Sequence, residues 1–138
     1  MIVIKKHIIK VIFVIVLISV YIMAPKPQPS LIGFYQSDGD VNGCYVQLSI
    51  WRKETGFTLF IDNREVSKGI FKKYEDNTYE LNGDEKNFTI KLEHDNTFEI
   101  VISKLNNGKP IQMINMSYVP MGFPTEFNDE EKYKELLN

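Results

Sequence analysis

From Leu31 onward the apolar residues recur at every second position, broken at short intervals by turn formers, and this alternation constrains the chain more than any other feature. A period of two sends successive side chains to opposite faces of an extended backbone, so each run has one face to bury and one to wet. Val46, Leu48 and Ile50 alternate with Tyr45, Gln47 and Ser49, and Lys53-Glu54-Thr55-Gly56 then turns the chain into Phe57, Leu59 and Ile61. Asp62 to Ser67 reads as a connection to a strand around Gly69-Ile70-Phe71, followed by strands through Tyr79 and Leu81, Phe88 to Leu92, and Phe98 to Ile102. A last run passes from Ile111 toward Val119, and an opening strand lies at Ile32 to Gln36. The pattern predicts a meander of about eight antiparallel strands.

Half-buried strands joined by tight turns need one shared core, and closing the sheet removes edges that would invite aggregation. The expected fold is all-β, an up-and-down barrel over residues 31–138, with a two-sheet sandwich as the alternative. Beyond the last strand Asn128 can cap a short helix with Glu131 at its third position, which would set Tyr133, Leu136 and Leu137 on one face, packed on a barrel end.

Residues 1–24 follow a different rule. Lys5, Lys6 and Lys10 precede Val11 to Ala24, a 14-residue run without charge, which is the layout of an export signal's basic and apolar regions. At 1.5 Å per residue the run spans about 21 Å, and extension back to Ile8, with Lys10 snorkelling, gives about 25 Å against a hydrocarbon core of about 30 Å. Ile22-Met23-Ala24 before Pro25 is a poor cleavage site, so an uncleaved signal anchor is expected, with the bilayer as partner of residues 8–24. The lysines would stay in the cytoplasm and the β domain would lie outside; secretion after cleavage is the alternative. Residues 25–30, Pro25-Lys26-Pro27-Gln28-Pro29-Ser30, read as an extended spacer that holds the domain clear of the membrane.

Three of the 16 basic residues lie in that N-terminal segment, leaving 13 against 18 acidic ones in the remainder. An acidic soluble part argues against nucleic acid as a partner. Cys44 is the lone cysteine, so no intramolecular disulfide supports the fold, and it lies too far along to be lipidated after an export signal. It is expected to be a small core residue.

The glycine of Gly33-Phe34-Tyr35, with an aromatic two residues on at the start of a meander, resembles the Gly-x-Trp opening of lipocalin-like (calycin) barrels, with Tyr35 in the place of the tryptophan. The resemblance covers Leu31 to Val119 as a strand pattern. It implies a barrel whose mouth or interior could hold a small apolar ligand, and it carries over no ligand residue.

Few constellations carry chemistry. Asp38-Gly39-Asp40-Val41-Asn42-Gly43 matches the first half of a calcium loop, with Asp38, Asp40 and Asn42 as candidate ligands, although Ser49 stands where a bidentate glutamate belongs. The same residues are default turn formers. His7 and His94 stand in the N-terminal segment and in a turn, so no catalytic residue is assigned and no cofactor is expected.

Trp51 and Phe60 fall out of phase with the apolar faces of their strands and are expected to form an exposed contact patch. Tyr118 to Pro124 is apolar and interrupted by prolines, and is expected to cross a barrel end as a lid plugged by Met121 and Phe123. These features point to a membrane-anchored extracytoplasmic binding module, which recognises an envelope protein on its outer face or a small apolar ligand inside. A filled interior would favour the first and a roomy one the second.

Overall fold

A computed structural model describes residues Met1–Asn138, the side chain of Glu54 excepted. The elements are α1 (Ile2–Met23), β1 (Gly33–Ser37), β2 (Val46–Trp51), β3 (Gly56–Ile61), β4 (Arg64–Lys73), β5 (Thr78–Gly83), β6 (Asn87–Lys91), β7 (Thr97–Ile100), β8 (Ile111–Ser117) and α2 (Glu130–Lys134). All strand pairs are antiparallel, in the order β6-β5-β4-β3-β2-β1-β8-β7, so the last strand returns beside the first. The sheet curls into a nearly closed barrel instead of a sandwich. It is compatible with a calycin-like barrel.

Closure is incomplete at one seam. No ladder joins β6 to β7; a turn links them, with the Glu93 amide bonded to the Thr97 carbonyl at 2.8 Å. The seam opens as a cleft of about 420 Å³ edged by Lys91, Glu93 and Glu99, and charges of this kind discourage edge-to-edge pairing.

Strand β4 is longer than the sequence pattern implies. Asp62 and Asn63 alone form the preceding turn, both at positive φ (48° and 66°), which is the two-residue hairpin geometry that matches strand twist. A bulge at Leu59/Phe60 shifts the phase, so polar Arg64 to Ser67, which read as a connection, are strand, with Val66 inward. Beyond it β4 passes from pairing with β3 to pairing with β5 around Gly69, opposite Gly83. A Cβ on Gly69 would overlap the Asn82 carbonyl oxygen, so glycine is what lets the sheet turn this corner.

The interior is filled. Tyr35, Leu48, Phe57, Leu81, Phe98 and Met113 are among the fully buried side chains, and they belong to one continuous apolar cluster. Both barrel ends are stoppered by chain from outside the sheet. At the end where β1 begins, Leu31 is buried and its amide donates to the Tyr79 hydroxyl at 3.2 Å. The Tyr35 hydroxyl there accepts from the Ile32 amide (3.4 Å) and donates to Asn96 Oδ1 (2.8 Å). Leu137 closes the other end, with Tyr133 and Leu136 partly buried beside it. Lys86 Nζ donates to the Leu137 carbonyl (2.6 Å), and the Lys104 amide to that of Leu136 (2.9 Å).

The cap of α2 differs from the expected Asn128. Asp129 occupies the cap position but makes no side-chain cap bond, because Arg64 takes its carboxylate at 3.1 Å from each of two nitrogens. The same guanidinium lies over the rings of Phe127 (3.9 Å) and Tyr133 (4.7 Å), latching the segment to β4. Hydrogen bonding to Arg64 holds the Asp129 carboxyl below its usual range, with desolvation opposing. A folded value depressed below the unfolded value of about 3.9 means that this stabilisation is complete above that pH and is lost as pH falls through the folded value. Hydrogen-exchange protection factors of residues 118–134, taken relative to the intrinsic rate at each pH, are therefore expected to fall on acidification before those of the barrel strands. Asp129→Asn should lower those protection factors already at neutral pH and remove their acid dependence; protection insensitive to both would refute the latch.

Helix α1 packs on nothing. Every large apolar side chain in it is more than half exposed, and none is buried. It ends at Ala24, whose extended φ/ψ (−60°, 131°) is the conformation that Pro25 imposes on the residue before it. Among the described residues no helix is long and apolar enough to cross a membrane. The expectation of a full transmembrane span is corrected on that point: the lysines at 5, 6 and 10 confine the uncharged stretch of the helix to Val11–Met23, about 20 Å at 1.5 Å per residue. The spacer is also less free than expected, since Gln28 Nε2 donates to the Leu92 carbonyl at 3.1 Å.

Candidate functional site

A continuous apolar cluster occupies the interior, which directs attention to the strands' outer faces. Phe34 on β1 and Phe60 on β3 both point outward, flanking Gln47 and Ser49 of β2, yet all four are buried. The cover is the segment after β8, which runs along the outside of β1–β3 as a strap. Phe123 stacks edge-on against Phe60 (centroids 4.9 Å apart) and Phe34 (6.1 Å). The Ser49 hydroxyl donates to the Met121 carbonyl and accepts from the Met121 amide at 3.1 Å.

The expected lid is thus a strap over the barrel wall, and three of the four candidate contact residues serve to hold it. Phe60 is 5% exposed and unavailable to a partner, and Phe123 is half-buried against it. Met121 is fixed by its backbone while its side chain remains 44% exposed, so it plugs nothing. Trp51 pairs with Gly56, whereas Phe60 pairs with Gln47, so the two aromatics form no cross-strand patch. The out-of-phase pair Phe34 and Phe60 was the signal available in the sequence: two aromatics on the wetted face of neighbouring strands require a cover.

Trp51 retains a site of its own. It ends β2 and is followed by a single tight turn, Arg52–Glu54, after which Thr55 at φ 47° reverses the chain. Its Nε1 donates to Thr58 Oγ1 across the hairpin at 3.1 Å, which fixes the ring on the outer wall. Opposite, Asn115 Nδ2 donates to the carbonyls of Ile32 (3.1 Å) and Ser117 (3.2 Å), and Ser117 Oγ accepts from the Val119 amide (3.0 Å). Those bonds place Tyr118 and Pro120 across from Trp51. Between them opens a groove of about 450 Å³, floored by Ile32 and Ile50 and rimmed by Arg52 and Lys53. Tyr118 and Val119 at its edge are 71% and 68% exposed, large apolar groups left in water.

A second concavity of about 640 Å³ lies at the same barrel end, between the β4–β5 and β6–β7 turns. Lys73, Glu75, Asp76, Lys91, Glu93 and His94 line it with both signs of charge.

The candidate calcium ligands Asp38, Asp40 and Asn42 lie in and beside a tight turn. Val41 and Cys44 exchange backbone hydrogen bonds (2.8 and 3.0 Å) around Asn42 and Gly43, both at positive φ, which makes a tight two-residue turn. Asp40 Oδ1 accepts from the Gly43 amide at 2.8 Å, so the carboxylate serves the turn. Among the described residues no group of three or more His, Cys, Asp or Glu could hold a metal ion. Cys44 is half-buried at the core's edge, and burial followed by the Asp62 carboxylate pushes its thiol up, away from the thiolate that nucleophilic chemistry requires. Comparison with protein-family models, with curated proteins and with solved structures finds no match.

Proposed function

We propose that the chain is a membrane-tethered, extracytoplasmic β module that binds through its outer surface and has no chemistry of its own. The observation that carries this reading is α1, whose apolar side chains meet nothing in the protein. An apolar helix surface of that extent is stable only under a cover, and the adjacent lysines and short uncharged run match the two parts of an export signal. Lys5, Lys6 and Lys10 lie at the cytoplasmic headgroups, and a modest local thinning of the bilayer accommodates the short run. The filled interior supports recognition on the outside in preference to carriage of a small apolar ligand.

Full-length protein with a tag after Asn138 tests the tether in a bacterial host. Intact mass including residues 1–24, retention in carbonate-washed membranes, and digestion of the β domain by externally added protease are the expected results. Ile15→Arg sets a charge in mid-run at about 3 kcal/mol on insertion scales, enough to move most of the protein to the soluble fraction. A soluble product beginning at Pro25 would establish secretion instead, and intact soluble protein inside the cell would overturn the reading altogether.

A further inference from the structure

We infer that the barrel docks, through the Trp51 groove and the Tyr118–Val119 edge, on the anionic headgroups of the membrane that α1 enters; this rests on the tether proposed above. The first argument is reach. Gln28 is bonded to the Leu92 carbonyl at the barrel end where β1 begins, so only Pro25, Lys26 and Pro27 separate Ala24 from a fixed point on the barrel. Four extended steps from Ala24 to Gln28 cover about 12 Å at 3.1 Å per residue. The headgroup layer on each side of the hydrocarbon is itself about 5–8 Å thick. With the apolar run ending at Met23, the spacer keeps that barrel end close above the headgroups, near enough for a modest attraction to seat it and free to ride clear without one.

The second argument is what that end presents. Ile32, four residues beyond Gln28, floors the Trp51 groove, so the groove belongs to the end the spacer draws in. It combines an indole, the exposed Tyr118 and Val119, and the cations Arg52 and Lys53. Tryptophan and tyrosine are the side chains that settle at headgroup depth, where one part of the ring is dry and another hydrated. Lys26 lies in the spacer itself. Cations beside an apolar edge complement an anionic lipid surface, and each contributes roughly a fivefold factor to docking near such a surface.

Trp51 is the only tryptophan in the chain, so its fluorescence reports this contact alone. Full-length protein is reconstituted into vesicles of equal parts phosphatidylglycerol and phosphatidylcholine carrying a headgroup nitroxide, and into phosphatidylcholine vesicles with the same label. Strong quenching of Trp51 in the anionic vesicles and weak quenching in the neutral ones is expected. Arg52→Glu with Lys53→Glu removes two cations and adds repulsion, so it should lower the docking equilibrium by more than roughly 30-fold and relieve the quenching, while flotation with the vesicles, which depends on α1, persists. Tyr118→Ser with Val119→Ser should also relieve it. Flotation with unquenched Trp51 would overturn docking and leave the tether standing; loss of flotation would overturn the tether. Equal quenching in both lipids, or quenching indifferent to the charge reversal, would overturn the role given to Arg52 and Lys53.

Discussion

Gly33→Ala is expected to lower the stability of the β domain by about 3–5 kcal/mol, enough to leave many small domains largely unfolded. Two effects combine. Gly33 stands at φ 86°, where an L-residue is strained by about 1–2 kcal/mol. A Cβ there would also overlap the Ser117 carbonyl oxygen and crowd the Tyr118 backbone, because β1 presses against the end of β8 where a bulge shifts their register. Gly39 provides the control, since it has the same φ of 86° with nothing near its missing Cβ. Gly39→Ala should cost only about 1–2 kcal/mol. Urea unfolding of both variants separates strain from overlap, and equal losses would mean that β8 does not close on β1 as described.

Leu137→Ala should cost about 2–5 kcal/mol, the range for deleting a wholly buried leucine. Leu137 is 0% exposed, although it follows a helix of only five residues that has no core of its own. The loss should reach beyond the barrel end. With Leu137 gone, α2 is held chiefly by the Arg64 latch, and the strap behind Phe123 should become open to protease. Leu136→Ala, at a half-buried position, should cost markedly less. Comparable midpoints for the two variants, or a strap equally resistant in both, would show that Leu137 is not the stopper.

Several elements were legible because their physics is local. Alternation of apolar and polar residues forces strands wherever one face is buried, and Val46 to Ile50, Phe57 to Ile61 and Phe88 to Leu92 fell where their periods placed them. The stretch from Asp62 to Ser67 was not legible, because a bulge is a two-strand event and only the partner strand reveals the shift in phase. Asp38, Asp40 and Asn42 admit two readings for a related reason. Residue types that ligate calcium are also those that close tight turns, and backbone geometry alone tells which they do.

Trp51 and Phe60 carried the same phase signal in the sequence, yet Trp51 is half-buried beside a groove and Phe60 is covered by a segment 63 residues further along the chain. The sequence by itself determined the strand count, the antiparallel order of the hairpins, and an N-terminal helix unlike the rest, since each follows from side-chain period, turn chemistry and charge within short windows. Only the tertiary structure decided that the barrel is filled, that its seam falls between β6 and β7, and that Leu31 and Leu137 close its ends. Those outcomes depend on how volumes from distant residues fit together, and no short window of sequence contains that sum.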